Sequence, residues 1–200
     1  MKFGIDFDNT LVCYDEAFHA CARERQLIPD DVPATKAAVK AHLQNNDREE
    51  DWIALQGYVY GPGMATARPF DGALDFIREA QRQSHEVFIV SHKTRHPFRG
   101  PQYDLHEHAR AWLVQQHILG DVIDRKNVFF ELTKEEKLAR VGELECDWFV
   151  DDLPSILEHH EFPPGVKRTL FDPSGSAAAQ AGWTRIRSWA EAPECFDSNK

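Results

Sequence analysis

Cysteine is scarce in this sequence, and no two cysteines lie close enough to form a recognisable site. The four cysteines are Cys13, Cys21, Cys146 and Cys195, and no C-x-x-C pair occurs. This spacing argues against a zinc site built on cysteine and against a disulfide framework. We therefore expect reduced thiols, as in a cytoplasmic protein.

Long apolar runs are also missing, and basic residues are outnumbered. No apolar stretch approaches the roughly 20 residues that a membrane-spanning helix needs. The first residues, MKFGIDFDNTLV, are too acidic and too short in apolar content for a signal peptide. With 23 basic and 33 acidic residues the net charge is −10, which disfavours binding to nucleic acids and to anionic membranes. An anionic ligand would need local compensation, for which a divalent cation is the obvious candidate.

What the sequence does contain is an alternation of short apolar runs and helical patterns over 200 residues, a length typical of one domain. Continuous apolar strands that alternate with helices predict a parallel α/β sheet covered on both faces. The carboxyl ends of such strands gather at one edge, where ligands bind. The predicted strands are residues 2–5, 86–90, 127–130, 148–150 and 166–171. A helix is predicted after Asp71, its N-terminal cap, with Leu74, Phe76, Ile77 and Ala80 on the buried side. Further helices are predicted at 104–118, 133–144 and 154–160.

One mostly helical segment interrupts this alternation early in the chain. Helical patterns cover residues 15–26, 34–45 and 47–57, and the Gly61-Pro62-Gly63 stretch ends them. We interpret residues 13–69 as a small helical cap inserted after the first strand. Residues 1–12 and 70–200 would then form the α/β core.

Oxygen-bearing side chains stand where several predicted strands end. Asp6 and Asp8 follow the first strand, Ser91 follows the second, and Asp151 and Asp152 close a later one. Carboxylates close together repel one another unless a cation lies between them. Three or four such oxygens with water suit octahedral Mg²⁺, and Asp8 could contribute its backbone carbonyl instead of its side chain.

These motifs resemble those of the haloacid dehalogenase-like (HAD) hydrolase superfamily. The first is an apolar strand followed by Asp-x-Asp-x-Thr, at residues 3–10. The second is an apolar strand that ends in Ser91, the third is a lysine on a helix, and the fourth is an apolar strand that ends in Asp151-Asp152. The four occur in the order of the family. The resemblance implies a Rossmann-like parallel sheet flanked by helices, with a cap of the first type (C1).

The resemblance also implies a mechanism, with Mg²⁺ as the cofactor. Asp6 would be the nucleophile that forms an aspartyl-phosphate, and Asp8 would be the general acid and base. Ser91 and a lysine would stabilise the phosphoryl oxygens. The metal ligands would be Asp6, Asp8, Asp151 and Asp152, although Asp152 could instead only orient its neighbours. The one departure is Asn9, where many relatives carry glycine.

Two assignments stay open at this point. Lys137 has a spacing to Asp151 that is common in the family, and Lys134, one turn earlier on the predicted helix, is the rival for the catalytic lysine. Thr10 of the first motif, with His92, Lys93 and Arg95 from the basic stretch after Ser91, are the candidate substrate-binding residues. The alternative is that this basic stretch is only a solvated loop.

The sequence thus predicts a Mg²⁺-dependent phosphatase for a small phosphomonoester, such as a sugar phosphate or a nucleotide. Asp8 favours phosphate esters, because a leaving alcohol needs a proton, and a cap favours small substrates. The alternatives are a phosphomutase, a polynucleotide phosphatase and a non-catalytic binding protein with the same fold. The expected partner is a small phosphorylated metabolite, with no nucleic acid and no membrane, and the oligomeric state stays open.

Overall fold

The structure is a computed structural model, and it describes residues 1–178 and 180–193 of the chain. Cys195, one of the predicted reduced thiols, lies outside these residues; Cys13, Cys21 and Cys146 are free thiols. The strands are β1 (Lys2–Ile5), β2 (Val12–Cys13), β3 (Arg68–Pro69), β4 (Glu86–His92), β5 (Val128–Glu131), β6 (Trp148–Asp151), β7 (Lys167–Phe171) and β8 (Trp183–Ile186). The α-helices are α1 (Asp15–Glu24), α2 (Lys36–Asn45), α3 (Glu49–Val59), α4 (Ala73–Arg82), α5 (Leu105–Gln115), α6 (Lys134–Glu143) and α7 (Pro154–Leu157).

The chain divides into two compact units. The first unit contains Met1–Val12, Pro69–His92 and the described chain from His117 onward. The second contains Cys13–Arg68 and Lys93–Gln116. The segment after β4, with α5, therefore groups with the helices that follow the first strand, whereas the sequence boundaries place it in the core.

The first unit is built on a parallel sheet, and this confirms the predicted α/β class. Six strands are ordered β5-β4-β1-β6-β7-β8, and each neighbouring pair is parallel. The strands β1, β4 and β6 are nearly continuous apolar runs because side chains on both faces are buried. The register pairs Ile5 with Ile89 on one side and with Val150 on the other. As a result, the chain positions just after these three residues reach the same edge of the sheet.

Each face of the sheet carries its own apolar layer. On one face, Phe88, Val90 and Phe149 form a buried cluster with Leu138 and Val141 of α6. On the other, Phe3 meets Phe76 of α4 edge to face at 5.8 Å, and Phe76 lies 5.0 Å from Trp189. Trp189 belongs to a short 3-10 helix, Trp189–Glu191. These layers exclude water from the sheet that supports the polar edge.

Two local features of the core differ from the sequence prediction. Strand β8 is not predicted, because Trp183–Ile186 pairs along β7 at the end of the sheet and its first three residues are partly buried or exposed, so that Ile186 alone among the four is buried. The predicted cap Asp71 is wrong: Gly72 precedes α4, with a φ of 80°. Such a positive φ favours glycine and is strained for residues with a side chain.

The second unit is helical and packs around aromatic side chains. Phe18 stacks on Trp52 at 5.0 Å, and Tyr60 meets Tyr14 at 5.0 Å and Phe18 at 5.7 Å, both edge to face. We call Tyr14, Phe18, Trp52 and Tyr60 the aromatic cluster. It joins α1, α3 and the residue that follows α3, so these elements share one apolar contact.

Within residues 1–178 and 180–193, no helix is both long and apolar enough to span a bilayer.

Candidate active site

Strands β1, β4 and β6 deliver three polar side chains to one point at the edge of the sheet. Asp6 follows β1, Ser91 is the second-to-last residue of β4, and Asp151 is the last residue of β6. The Ser91 hydroxyl donates a hydrogen bond to Asp6 Oδ1 at 2.9 Å. The backbone N–H of Asp6 donates to the carbonyl of Val150 at 2.9 Å, so the ladder between β1 and β6 continues up to the site.

Lys137 connects two of these carboxylates. Its Nζ lies 2.6 Å from Asp6 Oδ1 and 2.6 Å from Asp151 Oδ2. Lys134 lies one turn earlier and points elsewhere, since its Nζ donates to the Ser155 hydroxyl at 3.3 Å. Of the two candidate lysines, the structure therefore brings Lys137 to the carboxylates.

The position of Lys137 depends on how α6 begins. Thr133 and Glu136 form a capping box: the Glu136 N–H donates to Thr133 Oγ1 at 3.1 Å, and Glu136 Oε2 accepts from the Thr133 N–H at 3.1 Å. The same oxygen accepts from the Leu132 N–H at 3.0 Å. These bonds satisfy N–H groups that the first helical turn leaves without partners. They fix the turn that immediately precedes Lys137.

The ionic group formed by Asp6, Lys137 and Asp151, together with the Ser91 hydroxyl, is almost entirely closed to solvent. The exposed fractions are 4% for Asp6, 2% for Lys137, 0% for Asp151 and 1% for Ser91. The pKa of Asp6 is raised to about 6 as the net result of opposing effects: burial raises it most, the ammonium of Lys137 lowers it, and the charge of Asp151 raises it. The pKa of Lys137 lies above its usual value, because Asp151 and Asp6 outweigh the effect of its burial. The lysine is therefore held as a cation between two acids.

A cation fits the charge balance of this site. The carboxylates of Asp6, Asp151 and Asp152 place one oxygen each within 4.8 Å of one another, and the ammonium group of Lys137 contacts two of them, Asp6 and Asp151. Asp151 is fixed by the Leu153 N–H, which donates to Asp151 Oδ1 at 2.9 Å. Three carboxylates with a single lysine leave an excess of negative charge, and hard oxygen donors match Mg²⁺. The carboxylate of Asp8 is not in this group.

A tight turn follows the first strand and carries the end of the first motif. The N–H groups of Leu11 and Val12 both donate to the carbonyl of Phe7. Asn9 occupies the left-handed region with a φ of 59°. Asparagine tolerates this conformation better than most residues with a side chain. The position where many relatives carry glycine is therefore filled by the residue type that best replaces it.

Thr10, the last residue of the first motif, is buried in the first unit. It is fully closed to solvent, and its Oγ1 has no hydrogen-bond partner among the described residues. Its carbonyl accepts from the indole N–H of Trp189 at 3.0 Å. The structure thus places Thr10 within the packing of the core.

The basic stretch after Ser91 is divided between the two units. His92 ends β4 and is half-buried, and its pKa is lowered by burial and then by the charge of Lys137. Lys93 is buried in the second unit, where its Nζ lies 4.9 Å from the centre of the Tyr60 ring. Arg95 is exposed and forms an ion pair with Asp104 at 2.8 Å.

Sequence reasoning missed two contributors to the site. The capping box of Thr133 and Glu136 has a readable signal, since a threonine followed three residues later by a glutamate begins a helical pattern. The support of Thr10 by Trp189 has none, because 179 positions separate the two residues along the chain.

Sequence comparison finds two relatives of similar length. A Bacillus cereus protein named "Putative nucleotidase" is 24% identical over 197 residues, covering 96% of this chain and 95% of its own. An Oceanobacillus iheyensis protein of the same name is 26% identical over 165 residues, covering 79% of this chain and 80% of its own. No family model matches the chain.

Comparison with solved structures gives the fold. A HAD hydrolase of Bacillus subtilis bound to magnesium superposes with a TM-score of 0.60 at 15% identity, and covers 98% of both chains. A HAD-family hydrolase of Deinococcus radiodurans with bound phosphate and sodium superposes with a TM-score of 0.60 at 13% identity, and covers 98% of this chain and 95% of its own. The strand order, the polar edge and these superpositions together confirm the resemblance that the four motifs predict: the chain has the fold of the haloacid dehalogenase-like hydrolases.

Proposed function

We propose that this protein is a Mg²⁺-dependent phosphatase that hydrolyses a small phosphomonoester through a phosphorylated Asp6, with nucleoside monophosphates as the first substrate class to test. The observation that carries the proposal is the buried Asp6 carboxylate, held at Oδ1 by Lys137 at 2.6 Å and by Ser91 at 2.9 Å. A carboxylate kept ionised in a closed site by a neighbouring ammonium is suited to act as a nucleophile.

The residues at this edge also suit the cation. Asp6, Asp151 and Asp152 would hold Mg²⁺ through their carboxylates, and Asp8 would hold it through its backbone carbonyl. When bound, Mg²⁺ would offset the negative charge shared by the Asp6 carboxylate and the phosphoryl oxygens. The excess of carboxylate over ammonium charge at the site supports this assignment, as does the oxygen-only set of donors.

In the first half of the reaction, an oxygen of Asp6 attacks phosphorus and a new bond joins this oxygen to phosphorus. The bond between phosphorus and the ester oxygen breaks, and its electron pair stays on the leaving oxygen. Asp8, in its protonated form, donates a proton to that oxygen and releases the alcohol. Because both hydrogen bonds from Ser91 and Lys137 end on Oδ1, the plane of the attacking carboxylate is fixed.

In the second half, water attacks the phosphorus of the aspartyl-phosphate. Asp8, now a carboxylate, takes a proton from this water, and the bond between phosphorus and Asp6 breaks to release inorganic phosphate and restore both acids. Lys137 and Ser91 would stabilise the negative charge that develops on the phosphoryl oxygens. The position of Lys137 is already set by Asp151 and by the capping box of α6.

The substrate class is proposed on three grounds. Both sequence relatives carry the name of a nucleotidase. The net charge of −10 disfavours polyanions such as nucleic acids, whereas a single monophosphate brings little charge. The helical segment at residues 13–69 is proposed to act as a cap, and caps that close over a site select small substrates.

The test is a hydrolysis assay on matched panels of nucleoside monophosphates, sugar phosphates and a 5′-phosphorylated oligonucleotide in Mg²⁺. We expect release of inorganic phosphate from at least one nucleoside monophosphate, abolished by EDTA and restored by Mg²⁺. Asp6→Asn should lower kcat by roughly a thousandfold or more. Asp75→Asn, at an exposed acid on α4, is the matched control and should leave kcat unchanged.

Each other result has a definite meaning. No hydrolysis of any phosphomonoester with Mg²⁺ present would overturn the phosphatase assignment in favour of a non-catalytic protein. Cleavage of the oligonucleotide alone would overturn the substrate class. Transfer of the phosphoryl group to a second hydroxyl in place of water would identify a phosphomutase.

A further inference from the structure

A second group of metal-binding side chains lies in the first unit, apart from the acidic site. His159, His160 and Glu161 follow α7, and each offers one donor atom within 4.8 Å of the others. We call these three residues the histidine cluster. It shares no residue with Asp6, Asp151 and Asp152, and the reaction proposed above does not use it.

The spacing of the donor atoms exceeds that of hydrogen bonds. His160 Nε2 lies 3.9 Å from Glu161 Oε1, and His159 Nε2 lies 3.6 Å from Glu135 Oε1 of α6. A hydrogen bond between such groups spans about 2.7–3.2 Å. Zinc binds imidazole nitrogen at about 2.0–2.1 Å and carboxylate oxygen at about 2.0–2.2 Å, so that two corners of its tetrahedron lie about 3.4 Å apart. The observed separations are therefore close to those of ligands that share a metal ion.

The cluster is partly organised in advance. The His159 side chain is only 16% exposed, and its ring stacks on that of His160 with centroids 4.5 Å apart. The Glu161 N–H donates to His159 Nδ1 over a long 3.3 Å. Because the in-plane lone pairs of stacked rings run side by side, the exposed His160 side chain must turn before both imidazoles can bind one ion. The largely buried His159 ring is the part of the cluster that is already held in place.

The donor chemistry distinguishes this cluster from the acidic site. Two imidazoles with one or two carboxylates are a ligand set that zinc favours, whereas Mg²⁺ prefers oxygen donors alone. Two further acidic residues favour a cation here: Glu135 faces His159, and Glu158 directly precedes His159 in the chain.

We propose that His159, His160 and Glu161 form a zinc site, with Glu135 as the fourth ligand. The ion would tie the segment after α7 to the first turn of α6, two residues before Lys137. A ligand that binds only the folded state raises its stability in proportion to the logarithm of the ligand concentration. The site would therefore stabilise the helix that carries the catalytic lysine without taking part in the reaction.

The test uses the full-length protein in excess Mg²⁺ and Zn²⁺ itself as the probe. Crystals soaked in Zn²⁺ and measured at the zinc absorption edge should show an anomalous peak between His159, His160 and Glu161. In solution, His160→Ala should weaken binding at this site at least about tenfold. It should also remove the rise in Tm that Zn²⁺ produces in the unmodified protein. His96→Ala, at an exposed histidine elsewhere, is the matched control and should bind like the parent.

Two results would overturn the proposal. One is an anomalous peak at Asp6, Asp151 and Asp152 alone. The other is a His160→Ala protein that binds Zn²⁺ as tightly as the parent. Neither result bears on the phosphatase assignment, because phosphate release is measured in Mg²⁺ without zinc.

Discussion

Lys137 and Phe18 each lie at the centre of a buried network, one ionic and one aromatic. Lys137 contacts Asp6 and Asp151 at 2.6 Å, and Phe18 contacts three rings of the aromatic cluster at 5.0–6.3 Å. The ionic network depends on each charge having its partner, because an unpaired buried charge is strongly unfavourable. The aromatic network depends on the area it removes from water, which several apolar side chains could supply.

Because of this difference, the presence of the two networks has different explanations. A buried ion pair is often no more stabilising than well-packed apolar residues, so stability alone does not account for its presence. The chemistry proposed for Asp6 does account for it. The aromatic cluster needs no such explanation, since the edge-to-face and stacked contacts of its rings are themselves favourable.

Replacing Lys137 should have the largest effect. Lys137→Met removes the ammonium that contacts both Asp6 and Asp151 and leaves the two carboxylates buried without it. We expect the free energy of unfolding at neutral pH to fall by about 3–5 kcal/mol, and kcat to fall by roughly 10²–10³-fold. Urea unfolding and phosphate release measure the two effects.

Lys134→Met on the same helix is the matched control for that experiment. Lys134 is only partly buried, and its single described hydrogen bond is the long one to Ser155, so its replacement should change the free energy of unfolding by less than about 0.5 kcal/mol. If Lys134→Met lost as much activity as Lys137→Met, the assignment of the catalytic lysine would be wrong.

A substitution in the aromatic cluster should lower the free energy of unfolding by less than Lys137→Met does. Phe18→Leu keeps an apolar side chain but loses the stacked contact with Trp52 and the edge contacts with Tyr14 and Tyr60. We expect a loss of about 1–2 kcal/mol in the free energy of unfolding, read from the urea midpoint at constant slope. A loss as large as that of Lys137→Met would remove the contrast between the two networks.

The capping box should give the smallest effect. Glu136→Ala removes the acceptor for the N–H groups of Leu132 and Thr133, and should cost about 0.5–1.5 kcal/mol. It should also lower kcat several-fold, because the turn that positions Lys137 loosens. Glu136→Gln keeps an acceptor and should recover most of both quantities. Equal losses in Glu136→Ala and Glu136→Gln would show that charge, not capping, matters at this position.

The central part of the fold can be predicted from the sequence because its signals are local. The apolar runs of β1, β4 and β6 each end at a polar residue, and the register of Ile5 with Ile89 and Val150 brings those ends together. Strand β8 has no comparable signal, since it lies at the end of the sheet and Ile186 is the one buried residue of its four. The association of Lys93–Gln116 with the helices after β1 depends on contacts distant in sequence.

The same division holds within the site. Asp6, Ser91 and Asp151 follow from strand ends, and the helical spacing limits the lysine to two candidates. Choosing Lys137 over Lys134 requires the three-dimensional structure, which shows that the side chain of Lys137 reaches the carboxylates and that of Lys134 contacts Ser155. The hydrogen bond from the Trp189 indole to the carbonyl of the buried Thr10 is likewise a long-range contact that no local pattern predicts.

The central claim is that Asp6 accepts the phosphoryl group during turnover. The most direct measurement is mass spectrometry of peptides from protein that is acid-quenched during turnover of a nucleoside monophosphate in Mg²⁺. We expect a phosphorylated peptide that contains Asp6 in the unmodified protein and no such peptide in Asp6→Asn. Turnover without any phosphorylated form of this peptide, or with phosphate on another residue, would contradict the claim.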